Sequence, residues 1–160
     1  MQGDGRRLRN VFLVLVAALG AISVATAPHD SPVASAPLLE GADADPRVIS
    51  ILRRSCQDCH SDTTRYPWYS YVAPVSLLVR GDVVRGREHL NLSHWAAYSL
   101  IRRERLLSEI ANQVRDRDMP VPAYTFIHRD ARLSDSEIDA LFRWTQAERE
   151  RLIAMAAPPR

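Results

Sequence analysis

The chain has two cysteines, both in one short segment with a histidine directly behind them: Cys56-Gln57-Asp58-Cys59-His60. No other feature of its 160 residues limits the fold so tightly. Cysteines at this spacing followed at once by histidine form the pattern of c-type haem attachment. The spacing has a chemical reason. Two intervening residues let one helical turn present both sulfurs to the two vinyl groups of a porphyrin, and the next imidazole reaches the iron from one face. Cys56 and Cys59 are thus expected to form thioethers to one haem c, with His60 as the proximal ligand.

Three other uses of the segment compete with this reading. A disulfide between Cys56 and Cys59 would close a ring too small to constrain much of the unfolded chain. A zinc site needs further ligands, and no second Cys or His pair follows at finger spacing. A thioredoxin-like redox pair expects a strand ahead of it, whereas a helical pattern precedes Cys56.

Arg6, Arg7 and Arg9 stand before an apolar run from Val11 to Ala27, broken only by Ser23 and Thr26. A basic flank ahead of such a run is an export signal, and it places the remainder outside the cytoplasm, periplasmic or at the cell surface. Ala25-Thr26-Ala27 has the small-x-small form of a cleavage site, but Pro28 follows it; Ser23-Val24-Ala25 is an alternative. Seventeen residues at ~1.5 Å each reach ~26 Å, slightly short of a ~30 Å hydrocarbon core, so cleaved signal and membrane anchor both stay open. Composition is ordinary for a globular chain, 46% hydrophobic and 25% charged. A net charge of +2 is too small to point to nucleic acid as a partner.

Residues 1–27 form the signal or anchor, 28–44 a Pro-, Ala- and Ser-rich tether, and 45–157 one helical domain. Asp45-Pro46 reads as an N-cap and first helical residue, with Val48, Ile49 and Leu52 on one face. Tyr66 to Tyr71 has no helical period and is expected to be a packed loop. A helix is expected from Pro74 with Val75, Leu78, Val79, Val83 and Leu90 in phase, weakened by Gly81 and Gly86. Ser93 is placed as the cap of a short helix through Trp95 and Leu100. Leu106, Leu107, Ile110, Ala111 and Val114 form an amphipathic stripe ending at Asp118. Ser134 to Glu137 forms a capping box with Leu133 and Ile138 as a staple, and Ile138, Leu141, Phe142 and Thr145 face inward. The fold class is all-α, with the helix before the cysteines and the terminal helix packing on one another.

The second axial position decides what such a haem does, because methionine fills it and raises the potential while an open site permits ligand or peroxide chemistry. Met119 is the candidate sixth ligand: it follows an amphipathic helix, precedes Pro120, and lies 59 residues beyond His60. His128, His89 and His94 are the rivals. Arg65, Trp68 and Tyr69, close after the motif, are candidate partners for haem propionates. The leading reading is a monohaem electron carrier rather than a catalyst. The alternative is a haem enzyme or gas sensor with a displaceable distal ligand, in which His128 or His94 assists.

Across residues 46–146 the chain resembles the bacterial haem-binding domain family of small c-type cytochrome-like proteins. The resemblance rests on ordered blocks: Cys56 to Ser61, Pro67-Trp68-Tyr69-Ser70, Ala73-Pro74-Val75-Ser76, Asp82 with Gly86-Arg87, and Leu90-Asn91 with Ser93 and Trp95. Met119-Pro120, Tyr124, His128 and Leu133-Ser134 complete it. It implies a cytochrome c-like helical domain on the extracytoplasmic side and assigns no reaction. Its expected partners are redox proteins of an extracytoplasmic electron-transfer chain and the cytochrome c maturation machinery. His94 departs from the pattern, where an acidic residue is expected.

Overall fold

The computed structural model describes residues 2–28 and 37–157, and every regular element among them is helical, as expected. Helix α1 covers Gln2–Thr26, α2 Pro46–Ser55, α3 Gln57–His60, α4 Val75–His89, α5 Leu100–Arg115, α6 Pro122–Ile127 and α7 Asp135–Ala156. Short 3-10 segments at Trp68–Tyr71, Leu92–Ala97 and Arg129–Ala131 link them, the second kinked at His94.

Asp45 starts α2 as its sequence predicts: the carboxylate accepts the Val48 amide at 2.9 Å, and Pro46 sits where a missing N–H leaves no bond broken. The buried stripe is Val48, Ile51, Leu52 and Ser55, spaced three and four apart; Ile51 takes the inward place expected for Ile49, which is half-buried. Cys56 is the joint between α2 and α3. Its amide still donates to the Leu52 carbonyl at 2.9 Å, and its carbonyl accepts the His60 amide at 3.0 Å.

The expected element from Ser93 to Leu100 is two elements. Asn91, not Ser93, caps the first, its side chain accepting the Ser93 amide at 3.0 Å; Ser99 starts α5, its hydroxyl accepting the Arg102 amide at 3.3 Å. Trp95 is fully buried, and the Tyr98 hydroxyl accepts the Asn91 amide at 2.9 Å, so the short turn is pinned at both ends and α5 sets off anew. Helix α6 falls in a stretch for which no helix was expected, being too short for a period to show. Trp68, expected inside a packed loop, stands 77% exposed.

Helices α5 and α7 form the main packed pair, and α2 lies on α7 as expected. Leu106, Leu107 and Val114 of α5 meet Leu141, Trp144 and Leu152 of α7 in one apolar core. The α7 box forms, the Glu137 carboxylate accepting the Ser134 amide at 2.9 Å and pairing with Arg54 of α2 at 2.8 Å. Phe142 is half-exposed beneath the Arg115 guanidinium at 4.6 Å, and the inward place expected for it belongs to Trp144.

The C-terminal part of the expected tether is folded. Leu39 is 3% exposed within the core and its amide donates to the Leu92 carbonyl at 3.0 Å. Trp144 donates through Nε1 to the Asp43 carbonyl at 3.0 Å, and Glu148 accepts the Asp43 amide at 3.2 Å. Residues 29–36 of that tether, His29 included, lie outside the described residues. Helix α1 is longer than the apolar run it contains: Gly5–Thr26 has the length and composition to cross a membrane. Its 22 residues at ~1.5 Å each give ~33 Å. Its last turn touches the domain, Ser23 accepting the Ala73 amide at 2.9 Å and Thr26 sharing a hydrogen bond with Ser76 at 2.8 Å.

Candidate functional site

Three helical stripes enclose one cavity of about 590 Å³, well within the range of cofactor sites. Leu52, Ser55 and Cys56 come from α2 and the joint after it; Asp82, Arg85, Gly86 and His89 come from α4; Leu106, Glu109, Ile110, Gln113 and Val114 come from α5. Each set repeats at intervals of three or four, which puts its members on one helix face. Cys59, His60, Met119 and Tyr124 complete the wall with Leu90 and Leu92.

His60 is oriented by the backbone. Its Nδ1 lies 3.0 Å from the Leu90 carbonyl. A carbonyl accepts and never donates, so Nδ1 carries the proton. Burial pulls the ring's pKa below its ordinary 6.5, against the opposing pull of the Leu90 and Gly86 carbonyls, and so keeps the imidazole neutral. A neutral ring protonated at Nδ1 has its lone pair on Nε2, the arrangement a metal-ligating histidine needs.

The approach of α4 to this segment is set by Gly86. A Cβ there would lie 2.5 Å from the Cys59 carbonyl oxygen, closer than atoms can stand, and 3.2 Å from the Cys59 Cβ, a tight contact. The glycine that weakens α4 as a helix is thus the one that lets α4 reach the cysteines. The next residue, Arg87, donates to the Ser61 carbonyl at 2.7 Å and to the Thr64 hydroxyl at 2.9 Å, holding the stretch of chain that leaves His60.

Burial pushes the Cys56 thiol up to about 12, helped by the neighbouring Cys59; burial, then Asp82 and Asp58, push Cys59 up to about 11. Both stay protonated at neutral pH, and among the described residues no group of three His, Cys, Asp or Glu side chains is placed to hold a metal ion.

Met119 is placed by the end of α5. Arg117 takes a left-handed conformation with φ 60, and the Asp118 and Met119 amides fold back on the Gln113 carbonyl at 3.0 and 3.2 Å. The methionine side chain then reaches the cavity wall, 36% exposed. Among the rival ligands His89 alone joins it there, its Nε2 3.0 Å from Glu109. His94 lies outside the lining, paired with Asp62 at 2.9 Å, the acidic residue supplied from a different segment. His128 also lies outside, stacked on Tyr124 with centroids 4.3 Å apart and hydrogen-bonded through Nε2 to the Tyr69 hydroxyl.

Arg65, Trp68 and Tyr69 are not part of the lining. Arg65 is spent on Asp58, reaching Oδ1 at 3.1 Å and Oδ2 at 3.2 Å; Tyr69 holds His128; Trp68 faces outward. The guanidinium at the cavity is Arg85, which the sequence reading missed although Asp82, Arg85, Gly86 and His89 share a helical face. Tyr124, recognised in sequence without a role, donates to Asp58 Oδ2 at 2.8 Å and ties α6 to the turn between the cysteines.

An apolar cavity walled by leucines, with a lone-pair nitrogen, two thiols and a thioether on its lining, fits a haem. The search of curated proteins and that of solved structures each returned no match. The model of the haem-binding domain family matches residues 14–147, beginning inside α1 and reaching into α7. The chain belongs to the haem-binding domain family.

Proposed function

We propose that the chain holds one haem c through thioethers from Cys56 and Cys59, with His60 and Met119 as axial ligands, and that it carries electrons outside the cytoplasm. The observation that carries this reading is one cavity lined by both thiols, by the His60 ring fixed on Leu90, and by Met119. Bound there, haem supplies a one-electron ferric–ferrous couple. The protein's part is to exclude water with Leu52, Leu90, Leu106 and Val114, to hold His60 Nε2 toward the cavity, and to offer a thioether that raises the potential. Arg85, hydrogen-bonded to Asp82 on the same wall, is the guanidinium on the cavity lining and the candidate donor to a propionate. Its partners are redox proteins of an extracytoplasmic chain, after loading by the cytochrome c maturation machinery.

Helix α1 is read as a retained anchor. Support comes from its ~33 Å length and from the Ser23 and Thr26 hydrogen bonds, which join the helix to the domain at the segment that cleavage would remove. The reading as haem enzyme or sensor keeps one supporting observation, the His89–Glu109 pair on the cavity wall, while His128 and His94 stand outside it.

The test is spectroscopic. Haem that survives acid-acetone extraction and a methionine–iron charge-transfer band in the oxidised protein are expected, with loss of the band and a lower potential in Met119→Ala. Extractable haem sinks the covalent attachment. Retained haem with an unchanged spectrum in Met119→Ala sinks the axial assignment.

A further inference from the structure

From Tyr66 to Val79 the chain carries no charged side chain across 14 residues, in a protein where 25% of residues are charged. Burial does not account for the run. Trp68 is 77% exposed, Leu78 66%, Val72 48%, Tyr71 43% and Val75 38%, so aromatic and aliphatic groups project from the 3-10 turn and the first turns of α4. The same segment receives α1: Ser23 accepts the Ala73 amide and Thr26 hydrogen-bonds Ser76. The outward-facing residues therefore lie within a turn or two of the place where the apolar helix ends. Arginines bound the run on both sides, at 65 and 80.

The lengths agree with this placement. The uncharged stretch Val11 to Ala27 reaches ~26 Å, ~4 Å less than a hydrocarbon core. Ser23 lies four residues before Ala27, about 6 Å inside that end. A domain hydrogen-bonded to Ser23 is consequently drawn to the depth where Trp and Tyr prefer to sit, between headgroups and acyl chains.

We infer that Trp68, Tyr71, Val72, Val75 and Leu78 form a membrane-contact face that sinks into the lipid interface beside α1 and holds the haem domain in a fixed attitude on the bilayer. The inference rests on the anchor reading of α1. Its occupant is lipid rather than a protein partner, because the patch is continuous with a helix already long and apolar enough to span, and because aromatic residues flanked by arginine match the composition of the interface. The consequence is that the cavity, walled partly by α4, is presented at one height and angle above the membrane.

The full-length haem-loaded chain in nanodiscs containing an acyl-chain diazirine phospholipid provides the test. Trypsin cuts at Arg9, Arg47, Arg65 and Arg80, so the helix and the patch fall in separate peptides, 10–47 and 66–80. Lipid adducts are expected in both. With Val72→Asp and Leu78→Asp together, adducts on 66–80 are expected to fall about threefold, because two carboxylates replace apolar side chains where the patch meets the acyl chains. The haem spectrum, reporting the intact cavity, should stay unchanged. Adducts on 10–47 alone overturn the contact face and leave the anchor standing. Adducts on neither peptide overturn the anchor and the contact face together.

Discussion

Two glycines of α4 allow the packing argument to be tested with an internal control. Replacing glycine by alanine inside a helix gains roughly 1 kcal/mol, since the backbone loses less freedom on folding. At Gly81 the new Cβ meets the Arg85 guanidinium at 3.1 Å, the far end of a flexible side chain that can swing aside. Gly81→Ala should therefore stabilise the protein by up to ~1 kcal/mol. At Gly86 the new Cβ would lie 2.5 Å from the Cys59 carbonyl oxygen and 3.1 Å from its carbonyl carbon. Backbone cannot swing aside, so α4 or the cysteine segment must move. Overpacking of this kind costs about 3 kcal/mol at its upper range, which leaves a net loss of about 2 kcal/mol after the helix gain. At roughly 4–6 °C per kcal/mol for a domain of this size, the midpoint should fall by about 8–12 °C. Thermal unfolding followed by circular dichroism gives that number, and acid-resistant haem per protein reports whether Cys59 is still placed for attachment. A Gly86→Ala protein as stable as wild type, or a Gly81→Ala protein equally damaged, would refute the claim that close approach at Cys59 selects this glycine.

Two further outcomes follow from the same packing. Arg87→Ala removes the charged bonds to the Ser61 carbonyl and Thr64 hydroxyl and should lower stability by about 2 kcal/mol in urea titration, with a loss under ~0.5 kcal/mol counting against the clamp. Burial opposes the charge of Glu137, yet the Ser134 amide and Arg54 outweigh it and hold its carboxyl below the ordinary 4.5. A carboxyl depressed by folding stabilises fully above its unfolded pKa, and that stability is lost as pH falls through the lower folded value. Wild type should therefore exceed Glu137→Gln in urea midpoint at pH 7 and converge on it at strongly acidic pH; a gap that persists there contradicts the assignment.

The α2 and α7 helices were legible because their signals are local. Asp45-Pro46 and the Ser134–Glu137 box satisfy amides within a few residues, so no tertiary knowledge was needed. Ile51 and Trp144 were missed for the opposite reason. Which of two neighbouring apolar residues turns inward depends on the partner helix, and a half-buried Ile49 or Phe142 satisfies a periodic pattern equally well. The folded segment 38–44 has no local signal of structure because its bonds reach Leu92, Trp144 and Glu148, all distant in sequence.

The site divides along the same line. Cys56, Cys59, His60 and Met119, named by motif and chain order, all line the cavity, whereas Arg65, Trp68 and Tyr69, named by nearness in sequence to His60, lie off its lining. Arg65 is close in sequence but lies beside Asp58, while Arg85 is 25 residues away and lines the cavity. Asp82, Arg85, Gly86 and His89 mark one face of α4, and the glycine on that face is the one that must touch the cysteine segment. A residue sharing a helix face with an obligatory contact is therefore a stronger site candidate than a sequence neighbour of the motif. By that criterion His89 and Arg85, which line the cavity, are stronger candidates than His128 and Arg65, which do not, for tuning whatever it holds.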